Sequence, residues 1–289
     1  MKKDGNPNSE TAIHHDYAYL MHTRLDIILW GVSANMARHI SQEIIASGRN
    51  LQKVLDRFDP EAETYKVNHQ APYCETPASP LMIDILSKSI EYYKKTEGAF
   101  NVFAGQTYDE IKAGNTAEQT ESEVNLPEHV HIDRDKQTIR FTSKEISLDF
   151  GGIGKGLALD KIEEILDQTP QINAFISFGG SSVLTRVHHP YCMFWPFSFR
   201  EPGITDTWHL IDDALSVSQT RANKKIPPHV WNTFEGNVVT KNQMACVQSK
   251  SATEAEVLST ALLTLPEEKQ EQIMKAFQIK KHKIYNLIA

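Results

Sequence analysis

"SLDFGGIGKGLALDKI", residues Ser147 to Ile162, sets a carboxylate, closely spaced glycines and a lysine where an apolar extended run gives way to a helical period. Ahead of it, "HVHIDRDKQTIRFTSKEISLDF" (His129 to Phe150) reads as strand, turn and strand. Behind it, Leu157, Leu159, Ile162, Ile165 and Leu166 recur at helical spacing. Glycines at such a junction let backbone N–H groups approach an anion, and a lysine beside them suits phosphate. Two familiar phosphate loops do not fit. A G-x-x-x-x-G-K-[ST] loop needs a hydroxyl after the lysine, where this chain has Gly156, and a G-x-G-x-x-G fingerprint needs its third glycine one residue later. Two readings stand at this point: an anion cradle, or a turn whose glycines serve packing with Lys155 solvated.

Working outward, "TRLDIILWGV" (Thr23 to Val32) alternates and then runs apolar as a strand does, and from Ser33 the positions Met36, Ile40, Ile44 and Leu51 turn helical, with Gly48 expected to bend or interrupt that helix. "SPLMIDILSKSIEYYKKTEGAFN" predicts a helix with Ser79 as N-cap, Pro80 at its first position, Lys94 and Lys95 near its end and Gly98 beyond. "INAFISFGG" (Ile172 to Gly180) is a strand that stops at two glycines; "CMFWPFSF" and "WHLIDDALSVS" read as two more strands. "SATEAEVLSTALLTL" (Ser251 to Leu265) opens with a capping box, Ser251 and Glu254, and carries an apolar face. Hairpin-like pairs between helices predict an α+β fold, with mixed or antiparallel sheets and packed helices, over a doubly wound one. Residues 1–16 are polar and are expected to form a mobile tail ahead of a single domain over 17–289.

Composition narrows the function. The chain has 289 residues, 40% hydrophobic, with 30 Lys+Arg against 37 Asp+Glu, a net charge of −7. No basic block or basic stripe with interleaved aromatics is present, which argues against a general nucleic-acid surface. Cys74, Cys192 and Cys246 are far apart and lack C-x-x-C spacing, so buried thiols are expected in place of disulfides or a zinc knuckle. There is no apolar run long enough to span a membrane, and the N-terminus as written shows no export signal or lipobox, so the expectation is a cytoplasmic protein.

A second chemical pair lies late in the chain. In "EAEVLSTALL", Glu256 and Thr260 stand at i and i+4 on one helix face, about 6 Å apart, near enough to share one hard cation. Two oxygens alone do not make a metal site, and the same pattern suits an exposed glutamate beside a threonine that bonds back to its own helix.

Taken in order, these stretches resemble the FAD:protein FMN transferase family, the ApbE-like flavin transferases, from about Met21 to Leu265. "MHT" (Met21 to Thr23) is similar to the family's Met-Gly-Thr; "RFDPEAETYKVN" (Arg57 to Asn68) to its Tyr-x-x-x-Ser-x-(aliphatic)-Ser-x-(aliphatic)-Asn; "EGAFN" to Gly-Ala-Phe-Asp. "DFGGIGKGLALD" (Asp149 to Asp160) is similar to Asp-Leu-Gly-Gly-Ile-Ala-Lys-Gly-Tyr-Ala-Val-Asp, and "ISFGG" to Asn-Leu-Gly-Gly. "ALSVSQ", "PHVWNTFEG" and "AEVLSTAL" fall in the places of Ser-Gly, His-Ile-Ile-Asp-Pro-x-Thr-Gly and Ala-Asp-Ala-Leu-Ser-Thr-Ala.

The resemblance implies an ApbE-like fold and an FAD site lined by Met21, Phe58, Ala99, Phe100 and Asn101, with Asp149, Lys155, His229 and Val230 also at the dinucleotide. It places a divalent metal, Mg2+, between the Gly152 carbonyl, Glu256 and Thr260, and gives Lys155 and His229 catalytic roles. The implied reaction moves FMN from FAD to a Thr or Ser hydroxyl of an acceptor protein, releasing AMP. No Gly-Ala-Thr acceptor segment occurs in this chain, so self-flavinylation is not expected. Family members often work outside the cytoplasm as lipoproteins. This sequence departs from the pattern at polar positions: Asn101 and Glu256 stand for Asp, Asn232 and Thr233 for Asp-Pro, Ser181 for Asp, Gln219 for Gly and Phe58 for Tyr.

Overall fold

The computed structural model describes residues 12–105, 107, 109, 126–220, 231–232 and 237–288. Strands β1 (His14–Leu20) and β2 (Thr23–Trp30) form a hairpin, so strand pairing starts inside the stretch expected to be tail. Next come α1 (Ala34–Leu55), α2 (Glu63–Gln70), β3 (Thr76–Pro77), α3 (Pro80–Lys95), β4 (Val130–Asp133) and β5 (Thr138–Phe141). Helix α4 (Gly154–Asp167) then leads to β6 (Asn173–Phe178), β7 (Ser182–Arg186), β8 (Trp195–Ser198), β9 (Thr207–Leu210) and β10 (Ala214–Thr220). The short pair β11 (Trp231–Asn232) and β12 (Asn237–Val238) precedes β13 (Gln243–Ser249), α5 (Ala252–Ala261), α6 (Glu267–Met274) and β14 (Ile279–Asn286). The main sheet has seven antiparallel strands in the order β1-β2-β6-β7-β10-β13-β14, and β3-β5-β4 form a smaller antiparallel sheet. This is the α+β arrangement with antiparallel sheets that the alternation of elements predicts.

Period two decides which side chains meet which layer. Leu25, Ile27 and Leu29 of β2, and Ala174, Ile176 and Phe178 of β6, face helices α1, α4 and α5 and join the main core. The other face is covered by the β8–β9 hairpin, where Trp195, Phe199 and Trp208 pack with Trp30, Val183, Leu215 and Tyr285 in a second core. Edge strand β14 carries exposed Lys280, Lys281, His282 and Lys283, charges that discourage pairing with another chain.

Several local expectations hold and others change. Ser79 caps α3 and Ser251 caps α5, each accepting an N–H from the first turn. Gly48 does not break α1; it is buried in a continuous helix, and an added Cβ would stand 2.7 Å from the Leu20 side chain, so the missing side chain admits the β1–β2 turn. "WHLIDDALSVS" is two strands, not one. Asp212 takes φ +48°, and the buried Asp213 carboxylate accepts the Ile211 N–H at 3.2 Å, which turns the chain from the hairpin into the main sheet. Of the cysteines only Cys246 is buried, its thiol pushed up to about 12 by that burial, whereas Cys74 is exposed and Cys192 half-buried.

Asp206 ties the second core to β14. Its carboxylate accepts the Tyr285 hydroxyl at 2.7 Å and the Lys283 ammonium at 3.0 Å, and these bonds, the Tyr285 bond first, hold it below the usual carboxylate range. A carboxyl with a lowered folded-state pKa gives stability that is present above its unfolded value near 4 and lost as pH falls through the folded one. In Asp206→Asn the loss of stability from pH 5 down to pH 2 is therefore expected to be shallower than in the parent. Urea midpoints at a series of pH values check this, and parallel curves would refute it.

Candidate functional site

The turn Asp149–Gly152 joins two clusters. On one side the Asp149 carboxylate accepts the Gly151 N–H at 2.8 Å and the Arg57 guanidinium at 3.0 Å; Arg57 also donates to the Gly105 carbonyl at 3.1 Å and pairs with Asp109 at 2.5 Å. Phe58, 62% exposed, lies with its ring under that guanidinium, 5.1 Å from its centre, while its N–H is held by Asp56. Asn68 fixes the segment leading into the turn, accepting the Leu148 N–H at 2.7 Å and donating to the Leu148 carbonyl at 2.9 Å.

On the other side stands α4, which begins without a side-chain cap; its Gly154 N–H is bonded to the Phe150 carbonyl at 2.8 Å, which leaves the N–H groups of Lys155 and Gly156 for a ligand. Lys155, in its first turn, reaches both oxygens of Glu256 at 3.2 and 3.1 Å. Glu256 is 3% exposed. Its Oε1 also accepts the hydroxyls of Ser182 and of Ser216, the latter at 3.0 Å. Ser216 contacts Ser259 at 2.9 Å, Ser259 contacts Ser218 at 2.8 Å, and Ser218 contacts Thr260 at 3.4 Å. A Cβ at Gly152 would lie 3.9 Å from Thr260 Oγ1 and 3.4 Å from the Phe100 ring, so the glycine bend passes directly beside the threonine.

Two helix contacts create this arrangement. The Asp160 carboxylate of α4 accepts the Ala252 and Thr253 N–H groups, at 2.7 and 3.2 Å, and the Ser251 hydroxyl at 3.0 Å, capping α5 with a charge from its neighbour. At Gly156 a Cβ would stand 2.7 Å from the Ala252 carbonyl oxygen, so the two backbones nearly touch.

The remaining residues expected at the site divide. Met21 and His22 connect β1 to β2 with φ +51° and +59°, a tight hairpin turn in which neither is glycine. Met21 donates its N–H to Gln52 Oε1 at 2.9 Å. Asn101 accepts the Phe103 N–H at 2.8 Å. Ala99 and Phe100, 5% and 2% exposed, lie in the main core and offer a ligand little beyond their main chain. His229 and Val230 lie outside the described residues, as does Thr233. Replacing His22 by glycine should relieve the left-handed strain and raise stability by about 1 kcal/mol. A thermal midpoint no higher than the parent's would contradict this.

The donor set suits a hard divalent cation. Glu256 Oε1 is filled by three donors, but the partner found for Oε2 is Lys155 alone, which leaves that oxygen room for a cation; Thr260, beside the Gly152 bend, adds a hydroxyl. Among the described residues no group of three or more His, Cys, Asp or Glu side chains gathers to hold a metal. A cation here would therefore complete its shell from water and phosphate, the habit of Mg2+.

The family model of ApbE matches residues 21–283. The chain belongs to the ApbE family. It is similar to the FAD:protein FMN transferase of Chlamydia trachomatis, 22% identical over 261 residues that cover 84% of this chain and 80% of that protein, and to that of Chlamydia pneumoniae, 23% identical over 253 residues covering 81% and 78%. In structure it is similar to the ApbE protein of Thermotoga maritima (TM-score 0.80, 16% identity, 96% of this chain and 97% of that one) and to the flavin transferase ApbE of Vibrio cholerae (TM-score 0.77, 18% identity, 96% and 97%). This ApbE fold explains why the motifs converge: β2 pairs with β6, setting Leu25 against Phe178 and bringing Gly179 against Thr23 of the "MHT" turn. Arg57, Asp109, Asp160, Ser182, Ser216 and Ser259 were not singled out from the sequence. The serines had left one trace, hydroxyls at alternate positions in the strand "ALSVS", which period two sends to the helix side with Ala214.

Proposed function

We propose that this chain is an FAD:protein FMN transferase that moves FMN from FAD to a Thr or Ser hydroxyl of an acceptor protein and releases AMP. The observation carrying this reading is that the Asp149–Gly152 turn stands between an exposed aromatic ring beside a half-buried Arg57–Asp149 pair and the buried Glu256, paired with a half-buried Lys155, beside Thr260. A flat ring system and a diphosphate need those two neighbours. The exposed Phe58 face takes part of the flavin or the adenine by stacking. Lys155 and the uncapped N–H groups of α4 hold the diphosphate.

In the reaction the acceptor hydroxyl oxygen forms a bond to the FMN-side phosphorus while the bond from that phosphorus to the bridging oxygen breaks. AMP leaves with that oxygen and its electron pair. The proton of the acceptor hydroxyl passes to His229, a role the resemblance implies. Lys155 neutralises charge that shifts toward the leaving AMP. The Gly152 carbonyl, Glu256 Oε2 and Thr260 would hold Mg2+, whose part when bound is to neutralise the diphosphate charge that repels an oxygen nucleophile.

The test incubates the purified chain with FAD and Mg2+, with and without a protein carrying an exposed Gly-Ala-Thr segment, and measures AMP release and flavin fluorescence on the denatured acceptor. The expected result is AMP that appears only with acceptor, in equal amount to bound flavin. AMP and free FMN without acceptor would make the protein an FAD pyrophosphatase. FAD that co-purifies and never yields AMP would make it a flavin-binding protein without transfer.

A further inference from the structure

A run of hydroxyls links Glu256 to Thr260. Glu256 accepts through Oε1 from Ser182 and Ser216, so the single proton of Ser216 is committed to the carboxylate, and Ser216 can only accept from Ser259. Ser259 has one proton and two acceptors in reach, Ser216 Oγ at 2.9 Å and the Glu256 main-chain carbonyl at 3.1 Å, and Ser218 bridges Ser259 to Thr260. Thr260 Oγ1 lies beside the Gly152 bend and carries two lone pairs. Glu256, anchored by Oε1, keeps Oε2 for Lys155 or for a cation that displaces it.

The need for such anchoring follows from side-chain length. Glutamate has one more rotatable bond than the aspartate that the family pattern has here, and an unanchored carboxylate would meet Mg2+ geometry, which tolerates little displacement, only a fraction of the time. The two serines that fix Oε1 come from separate strands, β7 and β10, and their neighbours on the helix side include the core residues Leu184 and Ala214. Ser182 is 1% and Ser216 2% exposed. A hydroxyl buried on such a face costs free energy unless it is bonded, and both are bonded to Glu256.

We propose that Ser182 and Ser216 are positioning residues that hold Glu256 by Oε1 so that Oε2 and Thr260 Oγ1 present a preset pair of oxygens to a divalent cation. This rests on the reading of Glu256 as a metal ligand. The test titrates the full chain with Mn2+ in the absence of flavin and reads free Mn2+ by electron paramagnetic resonance, so that catalysis is not needed. Ser182→Ala and Ser216→Ala should each weaken Mn2+ binding about ten-fold, the usual scale for a partner of a metal ligand. In the Glu256→Asp background the shorter acid withdraws from both serines, and the same substitutions should change binding less than about two-fold. Ser182→Cys, which preserves volume and is a weak donor, keeps the test open should the alanine variant fail to fold. Parental affinity in the serine variants would overturn the proposal, and so would an equal loss in both backgrounds, because packing alone would then explain it. If the parent binds no Mn2+, or Glu256→Gln binds it as the parent does, the metal reading itself falls and the proposal with it.

Discussion

Gly156→Ala is expected to destabilise the protein although alanine is the better helix former. The exchange gains about 1 kcal/mol of helix propensity. Against that, the new methyl would lie 2.7 Å from both the Ala252 carbonyl oxygen and the Thr253 Cα, and 2.9 Å from the Glu256 side chain. Backbone atoms inside a capped helix cannot step aside as a side-chain tip would, so α4 and α5 must separate, at a cost near the upper end of the overpacking range, about 3 kcal/mol. The net expectation is a loss of about 2 kcal/mol, together with weaker contact between Lys155 and Glu256, because the moved helices carry that pair. Urea unfolding measures the first effect and Mn2+ titration the second. Equal or greater stability than the parent would show that the helices do not meet as described.

Lys155→Ala carries the other large effect. Lys155 is the cation facing Glu256, whose side chain is 4% exposed, and removing one partner of a buried pair typically costs 3–5 kcal/mol because a charge is left uncompensated. Two serine hydroxyls remain on the carboxylate and the lysine is itself 25% exposed, so the low end, about 3 kcal/mol, is expected. The loss should depend on divalent cation. A cation that binds only the folded chain restores about 2.7 kcal/mol at a hundred times its dissociation constant. Thermal midpoints with and without Mg2+ read both parts: a small loss would mean the pair is not buried, and a loss that Mg2+ leaves untouched would mean that Glu256 holds no cation. FMN transfer should fall as well, since the same ammonium is proposed to hold the diphosphate.

The legible part of this chain was local. Ser79 and Ser251 announced helix starts through N-cap chemistry that acts over three residues, and alternation in β2 and β6 announced their buried faces. The Asp149–Lys155 stretch declared a glycine bend before a helix because glycine and backbone sterics act within the segment itself. Gly48 was misread for the same reason: a glycine in a helical pattern gives no sign, from its own neighbours, that Leu20 from another element will fill its place.

What the sequence alone determined is therefore the inventory: an α+β set of elements, a glycine turn with an adjacent lysine, an acid and a hydroxyl one helical turn apart, and an order of motifs resembling the ApbE family. Tertiary structure decided which of these oxygens are buried and to what they are bonded. Lys155 and Glu256 are 101 residues apart, and Ser182 and Glu256 74; only the docking of α4 on α5, through Asp160 and Gly156, and of α5 on β7 and β10 brings them within bonding distance. Hydrogen bonds and helix packing of this kind depend on positions in space that spacing along a chain does not encode, so the pairing of an acid with its partners becomes visible only in the folded molecule.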